Sequence, residues 1–327
     1  MVLPVVSTEF PIASLQEALA ASISTGSFID TAYYLFSRRT AEGRVGHPLA
    51  VYASSRVLKA AADHFDAQLS GGFSTDDEIP VATADYGYES DSDLDEGEIV
   101  EHDFEEVASG SKGKGKAFQI DEANFDLTAL SLREEAVRRG VKNSLFIPDV
   151  AAVTWHALVF FIYTGKIYFA PLRSNGLQAH RLACGEHNSA HPDFPSLCSP
   201  KSMYRLADMV GLPILKAFAE QEIHRQLSLE CVTSELFSHF SATYPDILTA
   251  QLQFVYDSGR MAQIMQKIQR HVASVVSGQM PHAETVLSAL LSTLSELLLS
   301  NPGHPAPPVV NFGSITDLSR VRNIACK

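Results

Sequence analysis

Between Asp76 and Glu106 the chain carries 14 Asp and Glu and not one Lys or Arg. Such a run repels itself and offers too little apolar surface to offset the entropy of ordering it. Ser109-Gly110-Ser111-Lys112-Gly113-Lys114-Gly115-Lys116, a stretch of spacer composition, comes next. No core can be threaded continuously through these segments, so the fold must be assembled from what lies on either side. The expectation for Ser74 to Phe118 is absence of stable structure. The 14 acids account for the whole formal net charge of −13, leaving the remaining chain close to neutral. That balance argues against nonspecific nucleic-acid binding and against anionic membranes.

Outside this run the composition is that of a protein with a real core, at 46% hydrophobic and 19% charged residues overall. The cysteines, Cys184, Cys198, Cys231 and Cys326, are sparse and irregularly spaced. That suits a reducing compartment better than a disulfide framework. No secretory signal and no run of eighteen apolar residues is visible. A soluble, cytoplasmic or nuclear protein is expected, with neither membrane nor nucleic acid as partner.

Periodicity then gives the elements. Ile12, Leu15, Leu19 and Ile23 fall on one helical face. Phe28–Phe36 and Pro48–Ala53 read as strands of a hairpin. A helix capped by Ser54 or Ser55 follows, with Val57, Leu58, Ala61, Phe65 and Leu69 inward and Gly71-Gly72 at its end. Ser131 and Glu134 have capping-box spacing before a short helix that Arg138, Arg139 and Gly140 would close. Ser144–Ile147 reads as a strand. Ala151–Thr164 is apolar almost all round, which marks a central core helix stopped by Gly165. Ile167–Phe169 is a brief strand, and Pro171–Ser199 is expected to be a polar loop. Met203 to Val210 and the segment opened by Pro213 form a helix pair. Beyond Ser228 come Val232–Phe240, Ile247–Tyr256, Met261–Val276 and Glu284–Leu299, all helical, and then a proline-rich tail.

Four runs resemble the BTB/POZ family in the family's own order. They are His47-Pro48-Leu49-Ala50-Val51-Tyr52-Ala53-Ser54-Ser55-Arg56-Val57-Leu58, then Phe65 in Asp63-His64-Phe65. Leu158-Val159-Phe160-Phe161-Ile162-Tyr163-Thr164-Gly165-Lys166-Ile167 comes third, and Leu206-Ala207-Asp208-Met209-Val210-Gly211-Leu212 with Leu215 closes the series. The acidic interruption and the run Ser199 to Asp208 are similar to fungal BTB-domain proteins. The resemblance implies an α+β, BTB/POZ-like fold, a small sheet wrapped by helices. It divides the chain into an N-terminal helical segment (1–27), a first half (28–73), an insertion with a short helix at its end (74–140), and a second half (141–227). A helical extension (228–300) and a tail (301–327) complete it.

It also implies function. Members bind proteins and often homodimerise through the N-terminal region, which would make Leu15, Leu19, Phe28 and Tyr34 the apolar interface. Many present substrates to cullin-type ubiquitin ligases through a hydrophobic-x-Glu motif. Here that motif would fall at Phe73-Ser74-Thr75, where Thr75 stands in place of the acid. A scaffold that recruits protein partners is expected first, and a cullin adaptor holding substrate on its C-terminal helices second.

No catalytic set emerges: there is no G-x-S-x-G, no H-E-x-x-H and no G-x-x-x-x-G-K-[ST]. No cofactor is expected. Cys184, His187, His191 and Cys198 have the residue types of a tetrahedral zinc site, but their spacing fits no common one, and a chance assortment is the plainer reading. Asp149 and His156, two helical turns apart, read better as surface and core-edge residues than as an acid–base pair. Ser90 and Ser92 each precede an acid by three residues, Asp93 and Asp95, a context acid-directed kinases favour. Phosphates there would extend a docking strip for a basic partner over Asp91 to Glu98. A solvated spacer is the plainer reading of the same acids.

Overall fold

The computed structural model describes residues 6–7, 12–40, 43–71, 82–84, 86–88, 91–96 and 134–299. The chain opens with β1 (Val6–Ser7) and α1 (Ile12–Thr25). β2 (Thr31–Arg39) and β3 (Val45–Ala53) form the expected antiparallel hairpin, with Tyr33 opposite Val51 and Leu35 opposite Leu49. Phe28 lies outside the strand. Asp30, just before it, turns back to serve a helix: its carboxylate accepts from Ser55 N at 2.7 Å and Ser55 Oγ at 2.6 Å. Those bonds cap α2 (Ser55–Ala61), whose own N-cap residue, Ser54, makes no side-chain cap. Pro48 is tolerated inside β3 because β4 (Ala82–Thr83) pairs only with Val45 and Gly46.

The helix expected to run on to Leu69 is broken at Ala62, whose backbone is extended, and restarts as α3 (Asp63–Ser70). The break turns Phe65 fully inward, edge-on to Trp155 at 6.0 Å. After the insertion, a short helix over 134–138 ends at Gly140 with φ of 73°. β6 (Asn143–Ile147) then joins the sheet parallel to β2, Thr31 beside Asn143 and Leu35 beside Ile147. β5 (Asp95–Glu96), from within the acidic run, pairs parallel with Arg38 and Arg39 on the same side of β2.

α4 (Ala152–Thr164) lies across this sheet as its composition required, with Trp155 buried at 4.8 Å from the Tyr33 ring. Gly165 stops it at φ of 68°, a left-handed position where a side chain would be strained. β7 (Lys166–Ile167) pairs with β1. The segment expected to be a polar loop contains α5 (Leu177–Ala190). α6 (Pro200–Val210) and α7 (Pro213–Arg225) make the helix pair, divided at Gly211. The extension comprises α8 (Val232–Leu236), α9 (His239–Thr243), α10 (Pro245–Asp257), α11 (Met261–Val276) and α12 (Glu284–Leu299). The single helix expected over Val232–Phe240 is thus two short ones.

The architecture is α+β. One core gathers Tyr33, Leu35, Leu58, Phe65, Trp155, Phe161 and Leu206, and reaches into the extension at Phe240 and Ile247. A second joins α8, α10, α11 and α12 through Leu236, Val255, Ile268 and Val286. Among the described residues no helix is long and apolar enough to cross a membrane.

Candidate interaction surface and a buried acidic clasp

α1 carries a single charged residue, Glu17. It rests on the core through buried Ala18 and half-buried Leu15. Glu17 reaches Arg56 at 3.1 Å in an exposed pair of the kind that contributes about 0–1 kcal/mol. Leu19 and Ile23 remain 47% and 86% exposed. Of the residues expected at an apolar interface, Leu19 therefore faces outward, while Leu15 and Phe28 are half-buried against the core. The Phe28 ring meets Tyr163 edge-on at 5.8 Å. Tyr34 corrects the expectation: at 1% exposure it is sealed with Ala32 under Ala136 of the short helix, so it belongs to no open face. Phe73, Thr75, Ser90 and Ser131 lie outside the described residues.

The acidic run holds the largest departure from expectation. Residues 86–88 and 91–96 form a clasp seated on the domain. Tyr86, Tyr88, Asp91, Asp93 and Leu94 are all buried, so this portion is neither structureless nor an outward docking strip. The Asp91 carboxylate accepts from Tyr86 Oη and Ser202 Oγ, each at 2.8 Å, and from the Asp93 amide at 3.0 Å. The Asp93 carboxylate accepts from Thr154 Oγ1 at 2.7 Å and from Ser199 N at 2.7 and 3.0 Å. Ser199 is the N-cap of α6, so both acids sit at the positive end of a helix where unpaired amides are available.

Arginines hold the rest. Arg173 Nη2 donates to the carbonyls of Ser92 and Leu94 at 2.8 and 3.3 Å. Arg39 Nη2 donates to Tyr88 O at 3.1 Å, and the Arg205 guanidinium lies over the Tyr88 ring at 4.8 Å. Burial, with the neighbouring Asp91 carboxylate second, pushes Asp93 up to about 7 against the pull of its hydrogen bonds. Burial and then Asp93 raise the Cys184 thiol to about 11, and Cys198 well above its ordinary value.

The metal-like quartet does not converge. His187 Nε2 is 3.0 Å from Pro195 O, and His191 stacks on Phe194 at 5.5 Å. Cys198 Sγ donates to Tyr168 O at 3.6 Å, while Cys184 lines a separate cavity beside Asp93. Among the described residues no three His, Cys, Asp or Glu are placed to hold a metal ion. Asp149 is drawn toward the clasp, its carbonyl accepting from Arg205 Nη1 at 2.7 Å, and His156 is exposed.

Charge summed over the whole acidic run does not distinguish these anchoring carboxylates from solvated ones. The clasp's sequence mark is Tyr86, Tyr88 and Leu94, three large side chains interleaved with acids. No protein-family model matches the chain, and no curated protein matches it.

Proposed function

We propose that the chain is a BTB/POZ-type protein-interaction scaffold that pairs with a second copy of itself through α1. The reading is supported by the order hairpin, short helices, core helix and closing helix pair from β2 to α7, which follows the order of the resembling runs. The observation that carries it is the outward face of α1, where Leu19 and Ile23 stand exposed on a helix with one charge. Apolar, charge-poor faces of this kind characterise the core of homodimer interfaces. Its work is recruitment of protein partners, and no reaction is proposed for it. Light scattering on the full chain should return the mass of a dimer, and Leu19→Asp should return that of a monomer with an unchanged circular dichroism spectrum. A wild-type monomer, or a variant that still pairs, refutes the assignment of the interface.

The adaptor reading has one observation in its favour: α8, α10, α11 and α12 build an apolar cluster of their own, a second module beside the first. Calorimetric titration with the N-terminal region of a cullin separates the two. Heat that Phe73→Ala abolishes selects the adaptor, and absence of heat from the folded protein removes it.

A further inference from the structure

Ser92 stands between the two buried carboxylates of the clasp and is itself half-buried. It lines a cavity of about 280 Å³ between the clasp and α5, together with Asp95, Arg173, His180, Arg181 and Cys184. The donors that seat the clasp are already committed. Ser199 N and Thr154 Oγ1 serve Asp93, and Ser202 Oγ serves Asp91. Arg173 Nη2 serves the backbone on either side of Asp93, at Ser92 O and Leu94 O. On the cavity wall, His180 Nδ1 is 2.6 Å from Pro171 O.

We propose that Ser92 is a phosphorylation site and that its modification releases the clasp from the domain. In the modifying step the γ-phosphoryl group of ATP passes to Ser92 Oγ. A P–Oγ bond forms, the bond to the β-phosphate oxygen of ADP breaks, and the hydroxyl proton leaves to the kinase's base. Asp93 and Asp95 supply the acidic context that acid-directed kinases select. The product adds about −1.5 to −2 charges and three acceptor oxygens at one point.

That point adjoins Asp91, Asp93 and Asp95, in a site whose low dielectric magnifies repulsion. Arg173 and Arg181 line the same cavity, and a phosphate that draws Arg173 Nη2 to itself takes it away from the two carbonyls it now holds. Repulsion and competition therefore act in the same direction, outward. Phosphorylation here does not lengthen an exposed acidic strip. It ejects a seated one, and uncovers Ser199 and Ser202 at the N-terminus of α6 together with Thr154 of α4. This inference is independent of how copies of the chain pair.

The test has two arms, both on the full chain. Incubation with an acid-directed serine kinase and ATP should place phosphate on Ser92, faster in Asp91→Ala, where the clasp is loosened. No phosphate at Ser92 in either protein overturns the site. In the second arm, chain carrying phosphoserine at 92 by genetic encoding is compared with the unmodified protein by hydrogen exchange. The amides of residues 91–96 and of Ser199 should exchange about tenfold faster or more, with α4 unchanged. Unchanged or slower exchange, as a phosphate gripped by Arg173 and Arg181 would produce, overturns the release. Loss of protection across α4 as well would show general unfolding and overturn it too.

Discussion

Asp93 is a carboxyl whose ionisation the fold opposes. It is buried beside Asp91, and Arg173 is the cation that offsets it; Tyr86, Tyr88, Cys184, Cys198 and Arg205 complete the titratable and charged surroundings of the pair. A carboxyl raised by folding binds its proton more tightly in the seated clasp than in the released one. Its contribution is therefore fully present below the ordinary value of 3.8 and is lost as pH rises through about 7. Asp93→Asn keeps an acceptor for Ser199 N, places an amide against Thr154 Oγ1 and carries no charge. Exchange of the residue 91–96 amides, measured against pH, should speed up between those values in the wild type beyond the intrinsic pH dependence. In the variant that extra rise should be absent. A variant with the wild-type profile would show that the slope originates elsewhere.

At the scale of elements, legibility followed apolar periodicity and end signals. α4, α6 and α7 could be placed from sequence because Gly165, Gly211 and Pro213 bracket stripes of inward side chains, and the hairpin because its strands are β-branched and aromatic. α5 had no such stripe: its buried residues are His180 and His187, while Leu182 is 64% exposed. A helix that faces the core with imidazoles is invisible to a reading built on hydrophobicity. Tyr34 was misplaced for the opposite reason. Thr31 to Phe36 are buried on both faces of β2, so no alternation marks which side is covered. Carboxylates anchor the clasp, and in sequence an anchoring Asp looks like a solvated one, so Tyr86, Tyr88 and Leu94 are its sequence mark. Of the four residues expected at the interface of the N-terminal helix and first strand, Leu19 alone faces outward; Leu15, one turn earlier on α1, packs on the core instead.

For the whole molecule, the extension is fastened to the sheet-containing part by a few large groups. Phe240 and Tyr244 meet the Tyr204 ring edge-on at 5.7 and 5.0 Å. Lys201 reaches the buried Glu235 at 3.2 Å, and its ammonium lies 5.9 Å from the Phe240 ring centroid. Phe240→Ala should cost about 3–5 kcal/mol, the range for deleting a buried aromatic. Because the residue belongs to the first core, chemical denaturation should show both parts losing stability together. A loss confined to α10–α12 would mean the extension folds on its own and only leans on the rest.

The parallel seam between β2 and β6 has a consequence for how this chain can change. Strand β6 reaches β2 only after the chain has passed through α2, α3 and the short strands β4 and β5, so the seam is a joint between two stretches distant in sequence, riveted by backbone pairing and by α4. In sequence, residues 97–133 join β5 to the short helix that precedes β6. Doubling the length of a tether costs only about 0.6 kcal/mol in closure entropy, so lengthening the 97–133 segment should leave the seam and its register in place. The residues around Asp91 and Asp93 do not share that freedom, because their carboxylates are tied to Thr154, Ser199 and Ser202.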